Sequence, residues 1–176
     1  MRAFDELVLV NYCYHNCTPL MNIMRLSKAD AFQLAKKLAK EHPNTAAFYR
    51  FADFENYYTL RSAQDAFLYT RFLELGGTPE EEHPLSFVLE GSDYLRSWFE
   101  NGVEIVVPLK GISPCHISFT IGDSGAEFQK KGKVKLFSLD GLCQPLDTYH
   151  GDFSSILHRA GYHYIEAQLW CDNYLK

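Results

Sequence analysis

A chain of 176 residues can bury a core without a disulfide or metal staple, and it fits one domain, residues 1–176. Its 47% hydrophobic and 22% charged residues exclude a disordered chain. With 17 basic against 22 acidic residues, a net charge of −5, it lacks the global footprint of a nucleic-acid binder.

Leu7 to His15 reads as a first strand, β-branched and aromatic, followed by a loop through Thr18-Pro19. Ser27 is a good N-cap, and Ser27-Lys28-Ala29-Asp30 approximates a capping box. The helix behind it turns Ala31, Leu34, Ala35 and Leu38 inward and ends at Pro43. A second helix spans roughly Phe54 to Leu75, with Phe54, Tyr58, Leu68, Phe72 and Leu75 on one stripe, and Gly76-Gly77 stops it. Arg61 and Asp65 share that stripe at a spacing that permits pairing, and a charge on a buried helix face is costly unless paired.

From His83 onward the pattern turns to short strands: Leu85–Leu89, Val103–Val107 and Cys115–Ile121. Ser92 caps a short helix through Tyr94, Leu95, Trp98 and Phe99. Gly122-Asp123-Ser124-Gly125 predicts a turn, and Lys133–Phe137 a solvent-facing strand. A helix near Phe153 to Arg159 precedes a closing strand, Tyr162 to Trp170, whose alternation puts Tyr162, Tyr164, Glu166, Gln168 and Trp170 on one face. The expected class is α+β: a helical N-terminal half packed on a mixed, largely antiparallel sheet of about six strands.

The cysteines, Cys13, Cys17, Cys115, Cys143 and Cys171, are odd in number and irregular in spacing, which predicts free thiols in a reducing compartment. Asp5 and Glu6 before a short apolar run do not read as a signal peptide, and no run approaches the roughly 20 apolar residues of a membrane-spanning helix. The expected location is therefore cytoplasmic, with no membrane partner.

Cys13-Tyr14-His15-Asn16-Cys17 places three metal-ligating types in five residues, but zinc needs further ligands from elsewhere. Neither Cys115-His116 nor Cys143 forms a matching knuckle, so no metal is expected. Gly122–Gly125 lacks the lysine of a phosphate loop. Lys130-Lys131-Gly132-Lys133-Val134-Lys135 is the best nucleic-acid candidate, but lysines guarding an edge strand are commoner, and nucleic acid is not the expected partner.

Three stretches carry a resemblance. The chain opens with a strand ending Tyr14-His15-Asn16-Cys17-Thr18. Its middle runs Leu85-Ser86-Phe87-Val88-Leu89, then Gly91-Ser92-Asp93-Tyr94-Leu95-Arg96-Ser97-Trp98-Phe99, and Tyr164-Ile165-Glu166 lies in a late strand. This order is similar to the ADP-ribosyltransferase superfamily. Asn16 stands where that family has glycine, and Glu166-Ala167-Gln168 lacks the second glutamate of its arginine-modifying members. The resemblance implies NAD as cofactor, bound by His15, Thr18 and Trp98. It implies that His15 holds the nicotinamide ribose and that Tyr94 or Trp98 stacks on nicotinamide. Glu166 would stabilise an oxocarbenium-like transition state, which makes His15, Tyr94 and Glu166 the implied catalytic set. Tyr57-Tyr58-x-x-Arg61, Gly76-Gly77-x-Pro79 and His83–Leu89 also resemble bacterial proteins without an assigned activity, which implies a bacterial or phage origin.

The leading expectation is a non-enzymatic, cytosolic binding or regulatory domain with no cofactor, acting through a protein partner. Its 11 tyrosines suit such an interface. The alternative is the NAD-using transferase or an inactive relative of one. A cavity containing both His15 and Glu166 favours the enzyme, and a flat aromatic patch favours the protein partner.

Overall fold

The computed structural model describes residues 6–148, 157–158 and 161–176. Five strands, β1 (Val8–Cys13), β2 (Leu85–Leu89), β3 (Val103–Pro108), β4 (Ile117–Ile121) and β5 (Ile165–Leu169), form one sheet in the order β3-β1-β2-β5-β4. Every pairing is antiparallel. The helices are α1 (Lys28–Glu41), α2 (Phe54–Glu74), α3 (Asp93–Trp98), α4 (Ser124–Lys131) and α5 (Leu139–Thr148). The class is α+β, as the residue patterns predict. No helix among the described residues is long and apolar enough to cross a membrane.

Strand alternation divides the sheet into two unlike faces. Leu9, Leu85, Phe87, Leu89, Ile117, Phe119, Ile165, Ala167 and Leu169 point to one side and build the main core with Leu142 of α5. The other side carries Val10, Tyr12, Ser86, Val88, Ser118, Thr120, Glu166 and Gln168, most of them polar. α2 covers part of that second side by packing Leu68 and Phe72 on Trp170, which lies just beyond β5.

The local signals in the first half act as expected. Ser27 Oγ accepts from the Asp30 amide to start α1, and Asp53 starts α2. α2 stops in a Schellman motif: the Gly76 amide donates to the Leu73 carbonyl, the Gly77 amide donates to the Phe72 carbonyl, and Gly76 has φ +86°. Gly77 must be glycine for a different reason, because a Cβ there would lie 2.6 Å from the Phe72 ring. Leu75 lies past the last helical turn and is exposed, so the apolar stripe ends at Phe72.

Two expectations are corrected. Gly122–Gly125 is not a turn between strands: Asp123 Oδ1 accepts from the Ala126 amide and caps α4, which ends where Gly132 turns left-handed at φ +67°. Lys133–Phe137 is not a sixth strand. It meets β4 at the single bridge Phe119–Phe137, and its apolar residues Val134 and Leu136 are buried against Leu68, Phe72 and Trp170. The segment thereby covers the outer edge of β4, which would otherwise be an open template for pairing. The expected helix at Phe153 to Arg159 lies almost entirely outside the described residues.

Candidate functional site

The polar face of the sheet and the helices over it enclose a cavity of about 750 Å³. Its walls come from β1 and the loop after it, α1, the 3-10 turn at Ala46–Asp53, α2, β2 and β5. Tyr12, Tyr14, Phe48, Phe51, Tyr57, Phe99 and Tyr164 give it an aromatic lining, and Arg61 and Glu166 bring charge to it. That size and character match cavities that hold small organic molecules.

Glu166 is held from behind by two converging chains of hydrogen bonds. Trp170 Nε1 can only donate, and it donates to Ser118 Oγ at 2.8 Å. Ser118 Oγ then donates to Gln168 Oε1 at 2.9 Å, which fixes that amide the other way round at Nε2. Gln168 Nε2 donates to Thr120 Oγ1 at 3.0 Å and to Glu166 Oε1 at 2.9 Å. From the other direction Gln64 Nε2 donates to Ser124 Oγ at 2.8 Å, and Ser124 Oγ donates to Glu166 Oε1 at 2.6 Å. One carboxylate oxygen is thus saturated. The other, Oε2, has only the Ser124 amide at 3.4 Å among the described residues. Burial pushes the Glu166 carboxyl above its ordinary range and nearby Asp123 adds to this, while Ser124, Gln168 and Arg61 oppose them.

Arg61 is anchored at one edge and open at another. Its Nε donates to Asp65 Oδ1 at 2.8 Å and its Nη1 to Tyr57 Oη at 3.3 Å. Nη2 has no hydrogen-bond partner among the described residues, and the side chain keeps 20% of its surface accessible. Asp65 is fully buried and is matched on its second oxygen by His83 Nδ1 at 2.7 Å. Burial alone would raise the Asp65 carboxyl, but Arg61 and His83 hold it below its ordinary value. The Tyr164 hydroxyl also faces this region without a hydrogen-bond partner among the described residues. Burial, Asp123 and Glu166 push its pKa up, so it is a neutral donor.

The residues implied by the resemblance separate. Glu166 and Thr18 line the cavity, and His15, Tyr94 and Trp98 do not. His15 is exposed and stacks on Tyr14 with ring centroids 4.2 Å apart. Tyr94 stacks on His163 at 4.3 Å, and Trp98 bridges Tyr94 and Tyr49 in an aromatic row on the outer surface. Cys13, His15 and Cys17 do not converge as metal ligands, and none of the five cysteines is in a disulfide. Gln64, Ser118, Thr120, Ser124 and Gln168 were not among the site residues expected from the sequence. For the strand residues the signal was polar side chains at period two in otherwise apolar strands, with Ser118 facing Gln168 and Thr120 facing Glu166. No family model, curated protein or solved structure matches this chain.

Proposed function

We propose that this chain is a binding domain whose cavity takes a small planar heterocycle, with its polar edge against Glu166, Arg61 and Tyr164 and its faces against the aromatic walls. The observation that carries this reading is the orientation of Glu166. Two donor chains lock one oxygen and leave the other with only the Ser124 amide at 3.4 Å, on a cavity that Arg61 also lines with a guanidinium nitrogen unpaired among the described residues. An acceptor with a lone pair to spare and a donor on the same cavity match the edge of a nucleobase or of nicotinamide. The polar groups Asn11 and Asn22 also line the cavity, but they spend their hydrogen bonds on Ser86, Leu20, Met24 and Pro84 and serve to hold its shape.

The test is calorimetry and thermal shift with the four common ribonucleosides, nicotinamide and NAD. One of these should bind with one-to-one stoichiometry, and Tyr164→Phe and Glu166→Gln should each weaken it roughly tenfold through the lost hydrogen bond. Absence of binding by every member at millimolar concentration would remove the reading. Release of nicotinamide from NAD would instead support the transferase alternative.

The surface row Tyr49, Trp98, Tyr94 and His163 favours a second reading, a protein partner on that face. Tyr49 is 54% exposed and Tyr94 is 42% exposed, and exposed tyrosines of this kind anchor interfaces. Mutating Tyr94 to Ala should leave nucleoside binding intact under the first reading.

A further inference from the structure

Three chemically different ligand groups meet at the far end of β5, away from the cavity. Cys171 follows Trp170 at the strand's end, His116 closes the short 3-10 turn before β4, and Glu80 lies in the loop after α2. Their Sγ, imidazole nitrogen and carboxylate oxygen all lie within 4.8 Å of one another. His116 Nε2 and Glu80 Oε1 are 3.8 Å apart. A tetrahedral zinc ion with bonds of about 2.0–2.3 Å separates its donors by roughly 3.3–3.6 Å, so closure asks for about an ångström of side-chain movement.

The backbone under these groups is already fastened. The Glu80 amide donates to the Trp170 carbonyl, and the Trp170 amide donates to the His116 carbonyl, both at 2.9 Å. One residue therefore ties all three segments together. The neighbour of Cys171, Asp172, is locked to Arg25 Nη1 at 2.6 Å.

The outer contacts suit a metal ligand set. His116 Nδ1 lies 2.6 Å from the Tyr174 hydroxyl oxygen, which can accept a hydrogen bond from Nδ1–H and leave the Nε2 lone pair for a metal. Outer partners of this kind are what orient metal-bound histidines. Asn173 holds the second Glu80 oxygen at 3.4 Å. Cys171 is buried, and its Sγ is approached by the Glu80 carboxyl and the Asn173 amide. Sulfur and carboxylate oxygen lie within 4.8 Å of each other, a gap that a cation can bridge.

We propose that Cys171 Sγ, His116 Nε2 and the Glu80 carboxylate bind one zinc-class divalent cation, with water as fourth ligand, as a clamp on the C-terminal segment. The thiol proton leaves to solvent as the sulfur–metal bond forms. One thiolate and one carboxylate then balance the dication. The site is independent of the cavity, since Cys171 lies five residues beyond Glu166, about 16 Å at roughly 3.3 Å per residue.

The experiment is titration of chelator-stripped protein with cobalt(II), then zinc in competition with a chromophoric chelator. One equivalent of cobalt should give a sulfur-to-cobalt charge-transfer band, zinc should erase it, and zinc should raise the melting temperature. Cys171→Ser should abolish the band, whereas Cys17→Ser should leave it unchanged. No band in the wild-type protein, or a band that survives Cys171→Ser, overturns the proposal. Should Cys171→Ser not fold, the exposed Glu80→Gln decides: zinc affinity must fall at least about tenfold, and unchanged affinity overturns the proposal.

Discussion

Arg61→Ala is expected to cost about 1–3 kcal/mol of stability, because fully buried Asp65 would keep only His83 to offset its desolvation. Denaturant unfolding measures this, and an unchanged midpoint would contradict it. Acid acts on the same group: the Asp65 carboxyl is held below its unfolded value of about 3.9, so its contribution is complete above that pH and is lost as pH falls through the folded pKa. Glu166 works in the opposite sense. Its folded pKa is raised above the ordinary value of about 4.3, so its contribution is complete below that pH and is lost as pH rises through the folded pKa. Glu166→Gln should therefore gain stability relative to wild type as pH rises above about 4. Parallel stability curves for the two proteins would contradict the account of Glu166.

Among the elements, β4 and β5 carry the site, and the reason is the pairing register. Ser118 faces Gln168 and Thr120 faces Glu166 across the two strands, so alternation alone lines up the polar network. Ser118→Ala would leave the buried Trp170 indole and the Gln168 carbonyl without partners, at a cost of about 1–3 kcal/mol. An unaltered unfolding free energy would show that the network is not closed in solution. The face of β5 was legible from its sequence, since the alternation of Tyr164, Glu166, Gln168 and Trp170 is the one observed. α4 was misread although its signature was present. Asp123 is an N-cap, and Lys130-Lys131-Gly132 is a basic last turn followed by a left-handed glycine. The competing turn chemistry of Gly122–Gly125 and the run of lysines masked it.

At the scale of the whole molecule, local signals named α1, α2, α3 and most strands but not α4 or α5, because caps, glycines and alternation act over a few residues. That Lys133–Phe137 makes only an isolated bridge instead of a sixth strand was not legible, since a single bridge at Phe119–Phe137 depends on what packs beside it. The cavity was out of reach for the same reason: its walls are drawn from β1 to β5, over most of the chain. Arg61, Asp65 and Glu166 were each marked by local pattern, but nothing local placed Arg61 and Glu166 on one cavity. The metal ligands show the same contrast. Cys13 and Cys17 are close in sequence and do not converge with His15, whereas Glu80, His116 and Cys171 are distant in sequence and do converge.

The central claim, that the cavity beside Glu166 is the binding site, is tested most directly by heteronuclear NMR mapping of the nucleoside, nicotinamide or NAD ligand that binds. The account predicts saturable shifts at Tyr12, Tyr57, Arg61, Tyr164 and Glu166, with none at Glu80 or His116. Shifts confined to Tyr49, Tyr94, Trp98 and His163 would contradict it and place binding on the outer aromatic row.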